Sequence, residues 1–255
     1  MEFAVVIVPA APVRKKPQHQ VEMVNQLLFG ETVQILKTKK DFWIKVRSLH
    51  DNYEGWLTKN LIEPIEERLA RSVSEFATAD LMSMILIKER SMYIPAGSSL
   101  FNFNNGSGSF GGNGYSFTGN YLKRYEQKPN EELLKQFTLR WLNAPYMWGG
   151  RTILGVDCSG FVQINYKLMG IDLPRDAWQQ AQEGKSIKKL KDAVAGDLVF
   201  FDDNDEIVHV GILLNNEQII HASGKVRIDT IDKKGIINAD TGKRTHRLEA
   251  IRRCW

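Results

Sequence analysis

The spacing of the apolar residues changes near residue 128, and this change constrains the fold more than any other feature of the sequence. Before it, short runs that alternate apolar and polar residues, such as 32–37 and 43–47, are separated by polar turns, which is the pattern of half-buried strands. After it, residues 131–142 carry apolar side chains at helical spacing, up to Pro145. A chain of 255 residues is long enough for two or three compact units, so a single small module is excluded.

Residues 1–64 are predicted to form a small all-β unit. Their glycine and aromatic pattern resembles a bacterial SH3-like (SH3b) barrel, as seen in Gly30-Glu31-Thr32-Val33, Trp43-Ile44-Lys45-Val46 and Gly55-Trp56-Leu57. Residues 65–127 resemble a second, degenerate SH3-like unit with a linker, without the Gly-Trp ending. Within this segment, residues 102–114 are rich in Gly and Asn, and we favour a long β-hairpin loop over a flexible lid.

Residues 128–255 are predicted to form an α+β domain. Helices at 131–142 and 158–169 come first, and the second of them is followed by Gly170, a residue suited to the helix end. Strands at 197–201, 208–214, 217–221 and 225–228 come next, with Asn215-Asn216 as a hairpin turn. Helices followed by an antiparallel sheet give the α+β class.

Composition and charge exclude several partners. The 34 basic and 30 acidic residues give a net charge of +4, and no long Lys/Arg run concentrates it, so we expect no nucleic-acid partner. The apolar stretch at 4–8 is too short to span a bilayer and lacks the basic start of a signal peptide, so we expect no membrane insertion and a cytoplasmic protein. An exported or periplasmic protein whose leader has been removed would look the same, and this stays an alternative.

The two cysteines are too few for a disulfide scaffold and lack a metal-binding CxxC spacing, and the histidines lack an HExxH pattern, so no metal is expected. Cys158 lies where a loop becomes a helix, and the helix N-terminus favours a nucleophilic thiolate. His209 follows on a predicted strand and is the candidate base. A hairpin turning at 215/216 pairs positions that sum to about 431, which brings His221 next to His209.

Each of these residues has a structural alternative. A lone buried Cys is usually inert packing, and a lone His near a turn is usually an ordinary hydrogen-bonded residue. The combination of all three favours catalysis. Cys254 is interpreted as structural or exposed, and the remaining histidines are predicted to lie at the surface: His19, His50 and His246.

Six motifs in order resemble the NlpC/P60 family of papain-like cysteine peptidases across roughly residues 128–255. They are Tyr146-Met147-Trp148-Gly149-Gly150, Asp157-Cys158-Ser159-Gly160-Phe161-Val162, Gly170-Ile171-Asp172-Leu173-Pro174-Arg175-Asp176, Gly196-Asp197-Leu198-Val199-Phe200-Phe201, His209-Val210-Gly211-Ile212 and Ile220-His221-Ala222-Ser223. The resemblance implies hydrolysis of peptidoglycan stem peptides without a cofactor, with Cys158 as nucleophile, His209 as base and His221 orienting it. Tyr146 matches a family tyrosine near the catalytic centre. Its hydroxyl would either help to hold the oxyanion or bond a neighbouring carbonyl in the core, and the two alternatives are equal. The resemblance implies that the Cys158 backbone N–H is the main oxyanion donor.

An SH3b domain joined to an NlpC/P60 domain resembles γ-D-glutamyl-L-diamino acid endopeptidases. The resemblance implies as substrate a murein peptide, L-Ala-γ-D-Glu-diamino acid, with a free N-terminus. By motif position, Glu31, Tyr53 and Asp157 would hold its ammonium group, and Ser159 would donate to the D-glutamate carboxylate. A solvated Glu, a barrel-corner Tyr and simple helix caps are the structural alternatives.

Arg175 is expected in an internal salt bridge rather than on a substrate carboxylate. We expect a monomer, and the sequence does not distinguish diaminopimelate from L-lysine. The rival functions are a general peptidoglycan hydrolase or amidase acting on intact wall, and a non-catalytic wall-binding adaptor.

Overall fold

The computed structural model describes residues 2–40, 42–72, 74–110 and 112–255. The chain forms two compact units: Met1–Gln127 with Trp148–Ile153, and Lys128–Met147 with Leu154–Trp255. Sequence patterns did not indicate that the short segment Trp148–Ile153 belongs with the first unit. No helix in the described part of the chain is both long enough and apolar enough to cross a membrane.

The first unit begins with a seven-stranded antiparallel sheet. Its strands are β1 (Glu2–Val6), β2 (Ala10–Arg14), β3 (Met23–Leu28), β4 (Thr32–Lys39), β5 (Trp43–Ser48), β6 (Glu54–Thr58) and β7 (Ile62–Ile65). The order across the sheet is β3-β2-β6-β5-β4-β1-β7. Alternate side chains point to an apolar core, which includes Val13, Val33, Ile44, Val46 and Leu57. The strands predicted at 32–37 and 43–47 correspond to β4 and β5.

The rest of the first unit adds two smaller sheets. Its elements are α1 (Glu67–Ala70), β8 (Phe76–Thr78), β9 (Met82–Ile87), β10 (Arg90–Pro95), β11 (Ser107–Phe110), β12 (Asn113–Phe117), β13 (Tyr121–Lys123) and β14 (Arg151–Thr152). Four strands pair in the order β10-β9-β12-β11, and β13 pairs with β8. The Gly/Asn-rich segment forms the β11–β12 hairpin, with Gly111 outside the described residues.

The second unit contains three α-helices among its described residues and is mostly sheet. Its elements are α2 (Glu131–Thr138), β15 (Gly155–Val156), α3 (Cys158–Leu168), α4 (Ala177–Gln180), β16 (Lys185–Ser186), β17 (Leu198–Asp203), β18 (Glu206–Leu213), β19 (Gln218–Ser223), β20 (Lys225–Asp232), β21 (Gly235–Ile237) and β22 (Arg244–Arg253). The order is β16-β22-β17-β18-β19-β20-β21, and β21 also pairs with β22, which closes the ring.

The α+β prediction is therefore only partly right. Helical residues make up 16% of the described structure, so the papain-like helices are a smaller part of it than expected. The helix predicted at 131–142 ends as α2 at Thr138 and continues as a 3₁₀ turn, Leu139–Trp141. Strands β21 and β22 were not predicted. The sequence of β22 mixes charged and polar residues, because much of this strand is exposed, and β21 is only three residues long.

The two faces of the large sheet have different partners. Helix α3 packs against β18 and β19 on one face. On the other face, Phe201, Leu213, Ile219 and Ile231 belong to one buried apolar cluster. Because side chains alternate along a strand, His209 on β18 lies on the same face as Leu213. The side chain of His209 therefore lies on the face of the sheet that carries this apolar cluster.

A buried ion pair attaches β14 to the first sheet. The Arg151 guanidinium donates to both carboxylate oxygens of Glu31, at 2.8 and 2.9 Å, and also to the Gln26 carbonyl. The side chains of Arg151 and Glu31 are 0% and 2% exposed. The preceding residue, Gly30, has φ of +77°, and a Cβ there would lie 1.7 Å from the Ser99 carbonyl oxygen, so glycine is required at this corner.

We expect Glu31→Gln to lower the free energy of unfolding by about 3–5 kcal/mol, because it leaves the Arg151 charge buried without its counter-ion. The control is Glu54→Gln, which removes a partly exposed pair with Lys45 and Arg47 and is expected to cost less than about 1 kcal/mol. Denaturant unfolding of both variants measures the difference. Equal losses would show that the buried pair contributes no more than a surface one.

Candidate active site

Helix α3 begins at Cys158, and a buried carboxylate holds this helix end. Asp157 is the N-cap, and its Oδ1 accepts the Gly160 backbone N–H at 2.7 Å. Both terminal nitrogens of Arg175 donate to the Asp157 carboxylate, at 3.0 and 2.6 Å, and one also donates to Ser159 Oγ at 2.8 Å. The predicted internal salt bridge of Arg175 is confirmed. Asp157 and Ser159 serve the helix start, and their substrate roles stay predictions.

Burial is the main influence on the pKa of the Cys158 thiol. The residue is 6% exposed, and burial, reinforced by the Asp157 charge, raises the pKa of the thiol to about 12. Backbone hydrogen bonds from Val210 and Ser159 and the charge of Arg175 act in the opposite direction and do not compensate. Burial therefore acts against the thiolate that the helix N-terminus was expected to favour.

The two candidate histidines are hydrogen-bonded to each other. Nε2 of His209 on β18 lies 2.8 Å from Nδ1 of His221 on β19. The β18–β19 pairs, such as Ile212 with Ile220, sum to 432 rather than the 431 expected, and the predicted proximity of the two rings is confirmed. Gly211 leaves room for this contact, because a Cβ there would lie 2.9 Å from the Cβ of His221.

Asp229 extends this pair, and the sequence patterns did not indicate it. Nε2 of His221 lies 3.0 Å from Oδ2 of Asp229, on the neighbouring strand β20. Arg227 donates to Oδ1 of Asp229 through two nitrogens, at 3.0 and 2.8 Å. The predicted strand ended at residue 228, one residue short of Asp229, so alternation could not place this carboxylate on the inner face. We call His209, His221 and Asp229 the histidine relay.

His246 on β22 was predicted to lie at the surface, and the structure shows its side chain half-buried. Its ring stacks on the ring of His209, with centroids 4.3 Å apart and planes at 24°. Burial, followed by the neighbouring His221 and His246 rings, lowers the pKa of His209 well below its usual range. Burial likewise lowers the pKa of His246 to about 4, assisted by His221 and opposed by Asp229. Both rings are therefore neutral near neutral pH.

Tyr146 lies close enough to Cys158 for the thiol to affect the pKa of its phenol. It is half-buried, and its backbone bridges to Val156 and donates to the Gly224 carbonyl at 2.9 Å. Burial, then the charges of Cys158 and Asp157, raise the pKa of its phenol well above the usual range. The hydroxyl is thus a neutral hydrogen-bond donor, which suits an oxyanion role.

Glu31 and Tyr53 belong to the first unit. Both carboxylate oxygens of Glu31 are occupied by Arg151, and Oε2 also accepts the Leu28 backbone N–H at 2.9 Å. The sequence left two alternatives for Glu31, an ammonium ligand and a solvated residue, and the solvated alternative is wrong because Glu31 is buried. Tyr53 is half-buried just before β6. The ammonium-binding roles of Glu31 and Tyr53 stay predictions.

Imidazoles close to a carboxylate raise the question of a metal ion. Within the described residues, no group of three or more His, Cys, Asp or Glu side chains is arranged to hold one. The histidine relay and His246 instead contact each other through hydrogen bonds and ring stacking.

Comparisons with known proteins agree with this geometry. Residues 143–245 match the NlpC/P60 family, and residues 13–61 match the bacterial dipeptidyl-peptidase Sh3 domain. The chain is 30% identical over 224 residues to the gamma-D-glutamyl-L-lysine dipeptidyl-peptidase of Bacillus subtilis (strain 168), covering 78% of this chain and 71% of that protein. It is 28% identical over 259 residues to Dipeptidyl-peptidase 6 of Lysinibacillus sphaericus, covering 91% and 92%. The crystal structure of an NlpC/P60 family protein from Bacillus cereus ATCC 10987 has the same fold, with a TM-score of 0.80, 20% identity and 99% of each chain covered.

A cysteine at the start of a helix and two hydrogen-bonded histidines on adjacent strands are the features of a cysteine peptidase. The chain belongs to the NlpC/P60 family of these enzymes and carries a bacterial Sh3 domain before the peptidase domain. The resemblances to the NlpC/P60 family and to a bacterial SH3 domain are confirmed, and the second SH3-like unit at 65–127 stays a prediction.

We expect Gly211→Ala to displace His221 and lower kcat about 10- to 100-fold, because the new methyl group would lie 2.7 Å from Ile219 and 2.9 Å from His221. Steady-state peptide hydrolysis measures this loss. Gly114→Ala is the control, since the nearest atom to its Cβ lies 3.9 Å away. Unchanged kcat in Gly211→Ala would show that the site tolerates a shifted His221.

Proposed function

We propose that this protein hydrolyses the γ-D-glutamyl to diamino acid bond of murein stem peptides that have a free N-terminal L-alanine, in recycling or remodelling of peptidoglycan. The supporting observation is the His209–His221 hydrogen bond next to a cysteine whose sulfur accepts a hydrogen bond from the backbone of Val210, the residue after His209. The name of the Bacillus subtilis relative, a gamma-D-glutamyl-L-lysine dipeptidyl-peptidase, supports the choice of bond.

The first step forms a thioester. His209 takes the proton from the Cys158 thiol as the sulfur attacks the γ-carbonyl carbon of D-glutamate, which gives a tetrahedral oxyanion. The carbon–nitrogen bond then breaks, and the imidazolium of His209 returns the proton to the leaving amino group of the diamino acid. A low pKa of His209 suits this second transfer, since the imidazolium gives up its proton readily.

The second step releases the dipeptide. His209 removes a proton from a water molecule, which attacks the thioester carbonyl, and the proton returns to the sulfur as the carbon–sulfur bond breaks. In both steps, the backbone N–H of Cys158 and the neutral hydroxyl of Tyr146 are the donors we assign to the oxyanion. Both lie at or near the start of α3, where the helix dipole also favours negative charge.

A mass-spectrometric hydrolysis assay tests the substrate. Purified protein is incubated with L-Ala-γ-D-Glu-diaminopimelate and, at the same concentration, with its N-acetylated form and with the L-lysine analogue. We expect cleavage of the free peptides between D-glutamate and the diamino acid and little cleavage of the acetylated one. Equal cleavage of both forms favours a general wall hydrolase, and cleavage of none favours a non-catalytic adaptor.

The nucleophile is tested in the same assay. Cys158→Ala is expected to abolish hydrolysis and to keep the fold, because both side chains are small and only cysteine supplies a thiol. Cys254→Ala, at the other free cysteine, is the matched control and is expected to keep full activity. Full activity in Cys158→Ala would contradict the mechanism.

The pH dependence follows from the site. His209 must be neutral to accept the thiol proton, and its pKa lies well below the ordinary value of 6.5. Activity is therefore present at neutral pH and is lost only as the pH falls through this lowered value. We expect the acid limb of the kcat/KM profile below pH 6.5, and a limb at or above that value would show that His209 titrates as an exposed histidine.

A further inference from the structure

We propose that Asp229 is a positioning residue: by fixing the proton on His221, it determines which ring nitrogen of His209 is free to take the Cys158 proton. The inference rests on the proposed function for Cys158 and His209. Asp229 touches neither the thiol nor the reacting bond, and it acts only through the two rings between them.

The Asp229 carboxylate is buried and held from two sides. It is 2% exposed, and Oδ1 accepts two hydrogen bonds from Arg227 and one from the Ala239 backbone N–H at 2.9 Å. Oδ2 is the atom that contacts His221. Burial by itself raises the pKa of this carboxyl, but hydrogen bonds from His221, Ala239 and Arg227 more than compensate, and the pKa lies well below its usual range. Asp229 is therefore ionised and accepts hydrogen bonds only.

Asp229, the acceptor at the end of the histidine relay, determines which nitrogen of each histidine ring carries the proton. Because Oδ2 of Asp229 cannot donate, Nε2 of His221 must carry a proton, and with one proton on the ring the lone pair is on Nδ1. That lone pair faces Nε2 of His209, which must therefore carry the proton of this second hydrogen bond. Neutral His209 is left with its lone pair on Nδ1, so Nδ1 is the nitrogen that can accept the thiol proton.

The other charged groups around the relay leave this order unchanged. Arg227 pairs with the buried Asp229 and also with Asp240, whose side chain is 73% exposed. If Arg227 moved away, the buried Asp229 carboxylate would lose its ion-pair partner. His246 faces the His209 ring by stacking rather than by a hydrogen bond between ring nitrogens. Tyr146 and Cys158 are both neutral at rest because burial raises their pKa values.

Asp229→Asn is the decisive variant because it keeps the size of the side chain and reverses the hydrogen bonds. The amide oxygen is expected to remain with the three donors from Arg227 and Ala239, which turns the NH₂ group towards His221. Nε2 of His221 must then accept, so its proton moves to Nδ1. The proton of His209 consequently moves to its own Nδ1, which can no longer accept one from Cys158.

We expect kcat of Asp229→Asn to fall about 100-fold or more, by analogy with tautomer reversal in other triads, with KM nearly unchanged. The matched control is Asp232→Asn on the same strand, which also removes a carboxylate paired with an arginine, Arg244, and is expected to keep wild-type kcat. A KM increase at unchanged kcat, or equal losses in both variants, would overturn the inference.

Two readouts that do not depend on the substrate separate this inference from the proposed function. The ¹⁵N chemical shifts of the imidazoles are expected to show Nε2–H tautomers for His209 and His221 in the wild type and Nδ1–H tautomers in Asp229→Asn. Iodoacetamide alkylation of Cys158, followed by peptide mapping, is expected to slow in Asp229→Asn at neutral pH and to stay unchanged in Asp232→Asn. If both expected changes occur in Asp229→Asn and no murein peptide is cleaved by the wild type, only the proposed function fails. If the tautomers and the alkylation rate are unchanged in Asp229→Asn, the role of Asp229 is overturned.

Discussion

The antiparallel register of β18, β19 and β20 is the constraint on which the site depends. It places His209, His221 and Asp229 on three adjacent strands and on one face, so that each side chain lies diagonal to the next and within hydrogen-bond distance. A shift of one residue in any strand would turn its side chain to the opposite face. The apolar cluster that includes Leu213 and Ile219 holds this register, because the same shift would turn both residues out of the cluster and towards the face on which α3 packs. The packing of the sheet interior therefore also aligns the histidine relay.

Burial supports the chemistry in two opposite ways. It favours the neutral forms of Cys158 and His209, so no ion pair has to be maintained in a dry site at rest. It also makes isolated charges costly, and the charges that remain are paired: Asp157 with Arg175 at the helix start, and Asp229 at the end of the relay.

Much of the site could be predicted because its signals are local. A cysteine after a capping residue marks a helix start, and a short hairpin turn limits how two nearby strands pair, so local spacing is enough to place His209 beside His221. Asp229 and His246 could not be placed in this way. Asp229 lies beyond the end of the predicted strand, and β22, which carries His246, has an exposed and highly charged sequence with little periodicity. The ion-pair partner of Glu31 could not be predicted either, because Arg151 is 120 residues away in the chain.

The sequence by itself determined the family, the order of strands and helices in broad outline, the cysteine at the helix start and the histidine pair, since these depend on residue type, local spacing and motif order. Only the tertiary structure decided the burial of Cys158, the acceptor at the end of the relay and the closure of the sheet by β21 and β22. The physical reason is that burial and long-range pairing are set by how distant strands meet. A capping pattern predicts where a helix begins, but it does not specify how much water remains around its first side chain.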